Sequence, residues 1–228
     1  MTDTGHGPSA PEGRRILLLV GAVGAGKGTQ AGILSTRLGL PHLASGNLFR
    51  QAMREGTPLG EQARAYMEHG DLVPDDLTIA MFMDELAKPE AAHGAILDGF
   101  PRTVAQARAL DATLAQQGER IGGVFSIEVP TDELVARVSG RWICPTDGAT
   151  YHEVTHPPRS DLVCDNDGTP LVQRDDDRAE VVRARLAKQV PPMLEVVEYY
   201  DQQGVVRRID GRQPIEKVTE HILAAVEP

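Results

Sequence analysis

Gly21-Ala22-Val23-Gly24-Ala25-Gly26-Lys27-Gly28-Thr29-Gln30, directly after the apolar run Ile16-Leu17-Leu18-Leu19-Val20, is the stretch from which the rest of the chain can be read. A strand, a glycine-rich turn, a lysine and a hydroxyl in that order make a cradle for a polyphosphate. The glycines let backbone N–H groups converge on an anion where a Cβ would obstruct them. A helix starting at about Lys27 adds its positive end. Lys27 can reach the outer phosphates, and a hydroxyl can sit beside a magnesium ion. One detail departs from the general motif: Gly28 stands where Ser or Thr is usual, and Thr29 follows one place later. A glycine-rich turn without chemistry is the plain alternative; the strand before it and the lysine and hydroxyl after it argue against that.

Composition narrows the classes. The 228 residues suit one core with an inserted subdomain better than two full domains. A net charge of −10 is wrong for a nucleic-acid surface, which is normally basic, but leaves room for a nucleotide held by local arginines and Mg²⁺. Two cysteines are too few for a secreted disulfide scaffold, and no apolar run is long enough to span a bilayer. Residues 1–12 are rich in Gly, Pro, Thr and Ser without a basic start and apolar stretch. They read as a flexible tail, which makes a cytoplasmic location the expectation.

Short apolar runs alternate with stretches of helical spacing. Strands are predicted at Ile16–Val20, His42–Ala44, Ala95–Leu97, Gly123–Glu128 and Val205–Ile209. Helices are predicted at Lys27–Leu38, Gly46–Glu55, Pro58–His69, Asp75–Ala87, Val104–Gln117, Thr131–Ser139, Arg178–Gln203 and Pro214–Ala225, with Pro191-Pro192 kinking or splitting the long one. This is an α/β pattern: a parallel sheet covered by helices on both faces, with ligands beyond the carboxyl ends of the strands. The segment Trp142–Gln173, rich in Pro, Asp, Thr and Gly, is too long for an ordinary connection and reads as a lid or a small inserted β domain.

Further residues gather near the cradle. Asp98 ends the apolar Ala95–Leu97 run and is a candidate to hold Mg²⁺ through water, although Asp-Gly is also an ordinary turn pair. Phe100-Pro101-Arg102 then places a guanidinium near the same sheet edge. Arg137 and Arg141 lie four apart, on the predicted helix entering the insertion, with Arg174 at its exit and Arg185 on the next helix. Planar bidentate guanidinium groups suit a phosphoryl group whose charge is spread over several oxygens. The alternative is solvated helix faces paired with Glu133 and Asp175 to Asp177; position at both hinges of an insertion favours the functional reading.

These residues resemble the adenylate kinases, within the nucleoside monophosphate kinase family, and the long-lid bacterial type among them. The resemblance runs from about Arg15 to the C-terminus. Its carriers are Gly21–Gln30, Asp98-Gly99-Phe100-Pro101-Arg102 followed by Gln106, Ser45-Gly46-Asn47-Leu48-Phe49-Arg50, and Arg174 with Asp176, Asp177 and Arg185. It implies a P-loop NTPase-type five-stranded parallel sheet and the reaction Mg·ATP + AMP ⇌ 2 ADP. It implies a core of residues 14–44, 74–141 and 174–228 after a tail of 1–13, a helical AMP-binding subdomain of 45–73, and a β lid of 142–173. It implies that Gly24, Ala25, Gly26, Lys27, Gly28 and Thr29 hold ATP phosphates, with Arg137 and Gln213 along the ATP adenine. Arg141, Arg174 and Arg185 would contact the transferring phosphates, and Asp98 would order the magnesium waters. Ser45, Gly46, Arg50, Leu72, Val73, Gly99, Arg102 and Gln106 would bind AMP, with Arg174 and Arg185 facing it. Val23 stands where many members have proline, and Asn47 where many have aspartate. Asn caps a helix about as well as Asp, so little loss is expected.

Within the insertion, Cys144-Pro145-Thr146-Asp147-Gly148 and Cys164-Asp165-Asn166-Asp167-Gly168 repeat Cys-x-x-Asp-Gly. Two knuckles a hairpin apart have the spacing of a structural zinc site, and zinc accepts carboxylate oxygen, so Cys144, Asp147, Cys164 and Asp167 form a candidate tetrahedron. Some lids of the family carry zinc here and others a metal-free hydrogen-bonded cluster; free or mutually paired cysteines are further alternatives. ATP, AMP and ADP are the expected partners, with no nucleic acid, no membrane and a monomeric chain. A kinase for UMP or CMP, a non-catalytic nucleotide-binding regulator and a zinc-knuckle nucleic-acid binder are the rivals. The long lid and Gln106, the intact Lys-Asp-Arg set, and the acidic balance weigh against them in turn.

Overall fold

A computed structural model describes residues 14–69 and 71–226. The expected tail therefore lies outside the described residues. Five strands, β1 (Arg15–Val20), β2 (His42–Ala44), β3 (Gly94–Asp98), β4 (Ile121–Glu128) and β7 (Val206–Asp210), form one sheet in the order β2-β3-β1-β4-β7. Every pairing is parallel. The helices are α1 (Lys27–Leu38), α2 (Ser45–Arg54), α3 (Pro58–Glu68), α4 (Asp75–Leu86), α5 (Val104–Gln116), α6 (Thr131–Ser139), α7 (Ala179–Asp201) and α8 (Ile215–Val226).

Strand alternation divides the core in two. In β1, Ile16, Leu18 and Val20 face a cluster filled from α4, α5 and the second half of α7, among them Phe82, Leu110 and Tyr200. Leu17 and Leu19 face the opposite cluster, filled from α1, α6, α8 and the first half of α7, among them Leu34, Val138, Ile222 and Leu186. Both faces are apolar, which is why β1 reads as an unbroken apolar run.

This division explains how α7 tolerates two prolines. Of the expected kink or split at Pro191 and Pro192, the split does not occur: one helix runs through both prolines. It packs Val182 and Leu186 into one cluster and Val196, Val197 and Tyr200 into the other. The prolines fall at the crossing, and the carbonyls they leave without an i+4 donor belong to Ala187 and Lys188, both exposed residues. A second departure concerns Arg141. α6 stops at Ser139, and Arg141 opens a short strand, β5 (Arg141–Ile143), paired antiparallel with β6 (Thr150–His152). Arg137 and Arg141 thus do not share a helix, because residues 141–143 take their partners from the insertion.

The insertion has its own small core of Cys144, Tyr151, Cys164 and Leu171, with Trp142 and Ala149 packed on it. Ile143 and Val172 exchange backbone hydrogen bonds and tie its two ends together.

Candidate active site

The carboxyl ends of the sheet strands lead into the segments that build one cleft. β1 runs into the loop before α1, β2 into α2 and β3 into Gly99, whereas β7 runs into the turn at Gly211, whose carbonyl holds the cleft residue Arg137. The cleft encloses about 500 Å³, with the loop residues 21–24 and 26–29 along one wall. Gly24 has φ +85°, and a Cβ there would stand 2.7 Å from Val138 Cγ2 and 3.0 Å from the Leu134 carbonyl oxygen. The loop can fold this tightly against α6 only because that position carries no side chain. Gly26 ends the loop, and α1 begins at Lys27, so the helix N-terminus opens into the cleft. Lys27 Nζ donates to the Ala22 carbonyl oxygen at 3.0 Å. Burial, with help from Arg102, Arg141 and Arg185 and against the pull of Asp98, lowers its pKa to about 8. Thr29 lines the same cleft.

Asp98 closes β3 beside this lysine. Burial alone would raise its carboxyl, but the hydrogen bond from His42 and the charge of Lys27 outweigh it and hold the group below its ordinary range. His42 Nε2 lies 3.2 Å from Asp98 Oδ2. A Cβ on Gly28 would lie 3.7 Å from that oxygen, so the glycine keeps the space in front of the carboxylate open.

On the far side of the cleft a narrower pocket of about 70 Å³ is lined by Leu72, Val73, Met67, Phe49, Thr78 and Gln106, together with the shared wall below. Arg102 is fixed by three side-chain hydrogen bonds: Nε to the Gly99 carbonyl (2.8 Å), Nη2 to Ser45 Oγ (3.2 Å) and Nη1 to Gln189 Oε1 (3.1 Å). Gly99, with φ +74°, could not carry a Cβ here, since it would meet Ser45 Oγ at 2.6 Å and Arg102 Nη2 at 2.8 Å. Arg50 Nη2 donates to Asn47 Oδ1 at 2.9 Å. Asn47 therefore does not cap α2, whose N-cap is Ala44; it steadies the arginine one turn on. Burial and then Arg174 push the Arg50 pKa down to about 10.

The four remaining arginines, Arg137, Arg141, Arg174 and Arg185, all line the cleft, as their positions in the sequence predict. Arg137 donates to the Gly211 carbonyl oxygen at 3.0 Å and to Glu133 Oε1 at 2.5 Å. Arg141 forks onto both oxygens of fully buried Asp177. Arg185 Nη1 donates to the backbone oxygen (2.9 Å) and Oδ2 (3.0 Å) of Asp176. Arg137, Arg141 and Arg185 thus have carboxylate partners, and with Arg174 they border the cavity. Gln213 sits in the turn after β7, its N–H 3.4 Å from the Asp210 oxygen, and does not line the cleft.

In the insertion the two knuckles meet. One donor atom from each of Cys144, Asp147, Cys164 and Asp167 lies within 4.8 Å of all the others. Both cysteines are free and buried. Cys144 Sγ donates to Asp167 at 3.5 Å, and Asn166 Nδ2 donates to Asp147 at 2.7 Å. Asn166, with the Ala149 N–H, holds the Asp147 carboxyl down at about 2. A soft–hard mixture of two thiols and two carboxylates is a donor set that zinc accepts.

Three contributors have no signal of their own in the sequence. His42 is visible only once the register pairs His42 with Ile96 and Ala44 with Asp98. Gln189 hydrogen-bonds Arg102 and borders both cavities, Asp75 hydrogen-bonds Gln106, and nothing in their local sequence marks them.

A family profile described as adenylate kinase matches residues 19–205. The adenylate kinase of Exiguobacterium sibiricum is 46% identical over 208 residues, covering 91% of this chain and 97% of the relative. Those of Oceanobacillus iheyensis and Staphylococcus aureus are each 42% identical, over 92% and 91% of this chain and 98% and 96% of theirs. With the phosphate loop, the two adjoining cavities and their arginines already in place, this extent of similarity settles the family: the chain belongs to the adenylate kinases.

Proposed function

We propose that this chain transfers the γ-phosphoryl group of Mg·ATP to AMP, giving two ADP, and that the same arrangement serves the reverse reaction. The observation that carries the reading is the shared wall between the two cavities. Ser45, Gly46, Arg50, Gly99, Arg102, Asp176, Arg185 and Gln189 border both. A phosphate loop opens into the larger cavity, and the smaller is lined by Leu72, Val73, Met67 and Phe49 beside the Gln106 amide, so the arginines of the shared wall stand where two phosphate chains would meet. Phosphoryl transfer needs positioning, charge neutralisation and dryness more than it needs a base. The P–O bond to the β-phosphate breaks as one forms to an oxygen of the AMP phosphate, and no proton has to move.

In this reading Gly24 to Thr29 and Lys27 take the ATP phosphates. Arg137, which lines the cleft, flanks the adenine of ATP. Arg141, Arg174 and Arg185 neutralise the transferring group. Arg50 and Arg102 take the AMP phosphate with Ser45, Gly46 and Gly99, and Leu72, Val73 and Gln106 take its base. Asp98, kept charged, and the open space before Gly28 suit magnesium held through water, which supplies charge neutralisation at the β- and γ-phosphates. We assign residues 45–73 to AMP binding, 142–173 to a lid, and the remainder of 14–228 to a core. A site complete within one chain supports a monomer. The acidic balance speaks against nucleic-acid binding, and a cytoplasmic enzyme of nucleotide balance is the reading we favour; among the described residues no helix is long and apolar enough to cross a membrane.

The deciding experiment is coupled ADP formation from ATP with AMP, CMP or UMP as acceptor. Turnover with AMP at least tenfold above the others is expected, on the order of what one well-placed base contact gives. No ADP from ATP plus AMP would return the chain to a nucleotide-binding regulator.

The Lys27 ammonium sets a pH limit. Its free-state pKa of about 8 means that it is charged below that pH and neutral above it. ATP capture by the free enzyme, read as kcat/KM for ATP, is expected to fall about tenfold per pH unit above roughly 8, whereas kcat at saturation falls less because bound phosphate restores the proton. A kcat/KM profile that stays flat for more than about one pH unit above that pKa contradicts this.

The lid cluster fits a structural zinc ion held by Cys144, Asp147, Cys164 and Asp167. Protein purified without chelator is expected to carry about one zinc per chain, and its removal to lower Tm by roughly 5 °C or more. Below about a tenth of an equivalent, the knuckles are a hydrogen-bonded cluster of the kind Asn166 and Asp147 already form.

A further inference from the structure

We propose that Asp75 is a specificity-determining positioning residue: by fixing the sense of the Gln106 amide, it makes the acceptor site accept a 6-aminopurine monophosphate and reject a 6-oxopurine one. The inference rests on Gln106 facing the base of the acceptor nucleotide, as proposed above, and concerns what decides which base.

Gln106 lies at the buried edge of the smaller pocket, only 1% exposed. Its amide is bound on both sides. Nε2 donates to Asp75 Oδ1 at 2.8 Å, and Oε1 accepts the Arg102 backbone N–H at 2.7 Å. A carboxylate can only accept and a backbone N–H can only donate, so neither bond can be reversed. Turning the amide over would set oxygen against carboxylate and NH₂ against N–H, leaving two buried contacts repulsive. Asp75 is itself held, because Thr103 Oγ1 donates to its Oδ2 at 2.8 Å and in turn accepts the Gln106 N–H at 3.2 Å. Asp75 does not line the pocket, so it acts through Gln106.

The locked amide presents its second N–H and its second lone pair in one fixed order. An adenine edge offers an acceptor at N1 and a donor at the 6-amino group, which match that order. Hypoxanthine offers N1–H and a 6-oxo oxygen, the same two positions with the opposite polarity. To read it, the amide would have to give up both of its fixed bonds. A buried polar mismatch of this kind is where large discrimination comes from. An acidic residue in the first turn of α4 also suits the helix end, as does Asp76 beside it, but that role would leave base choice untouched.

The test is Asp75→Asn, read as the ratio of kcat/KM for AMP to kcat/KM for IMP with ATP as donor. Asparagine can meet the amide in either sense, so one of the two locks is removed while Arg102 N–H keeps the other. The ratio is expected to fall roughly tenfold, the worth of one hydrogen bond to a charged group, with KM for ATP held within about twofold. An unchanged ratio, or AMP, IMP and ATP parameters falling together, overturns the proposal. If Asp75→Asn yields no folded protein, Asp75→Ser, which removes the carboxylate and leaves the Thr103 cap of α5 in place, is read by the same ratio: a fall supports the proposal and an unchanged value overturns it. Failure of the unmodified protein to use AMP at all would sink the acceptor-site assignment and this inference with it. Use of AMP with an unmoved ratio sinks only the role of Asp75.

Discussion

Replacing Lys27 with methionine is expected to lower kcat by on the order of a thousandfold while the protein keeps its fold. A cation placed at the transferring phosphoryl group is commonly worth about 10³ or more in rate, since it acts where charge spreads in the transition state. That corresponds to about 4 kcal/mol of barrier. Methionine keeps most of the stem that packs under the loop and removes only the ammonium. The structure also gives the sign of the stability change. Burial and three neighbouring arginines already disfavour the charge on Lys27 more than Asp98 favours it. Losing the charge should therefore leave Tm unchanged or raise it, the usual opposition of a strained site between activity and stability. A variant with kcat within about tenfold of the parent would mean that Arg102, Arg141 and Arg185 carry the charge neutralisation without it.

The sheet and most of the cleft are legible in the sequence because their signals are local. β1 is buried on both faces and so reads as continuous apolar residues, and the loop after it carries the glycine, Gly24, that tight packing against Val138 and Leu134 requires. Asp98 and Arg102 can be found because they follow a strand at the sheet edge where ligands gather. What local pattern cannot supply is partnership across the fold. Arg141 has the spacing of a helix neighbour of Arg137, yet its backbone pairs with His152 in the insertion. Pro191-Pro192 signals a break, and only the exchange of one core cluster for the other at that point shows why the helix continues. Asn47 looks like a cap and serves Arg50 instead. Asp75 belongs to α4 by pattern, and only distances reveal its hydrogen bond to Gln106 in the smaller pocket.

Excising residues 142–173 and joining the ends by a short turn should separate dryness from charge in this enzyme. The residues of that stretch that border the cleft are Ile143, Gly148 and Thr150, none of them charged. Lys27, Arg102, Arg137, Arg141, Arg174 and Arg185 all lie outside the excised stretch. Arg141 keeps its fork onto Asp177, and Arg185 its grip on Asp176, because both partners also lie outside it. The insertion's own cluster of Cys144, Tyr151, Cys164 and Leu171 is separate from the two clusters that hold the sheet, so the sheet loses little packing. Its ties to the hinge include Gln173 Nε2 to the Ser139 carbonyl and the Glu153 N–H to the Gly140 carbonyl. The truncated protein should then still bind nucleotides and melt cooperatively. With water admitted, the phosphoryl group has a second acceptor, and a closing lid is the usual means of denying it. Transfer to AMP is expected to fall by roughly 10²-fold, and ATP hydrolysis per transfer event to rise at least about tenfold. The measurement is phosphate release against ADP formation in one reaction mixture. If both rates fell in the same proportion, the insertion would be positioning the nucleotides rather than excluding water, and the ring of arginines would be incomplete without it.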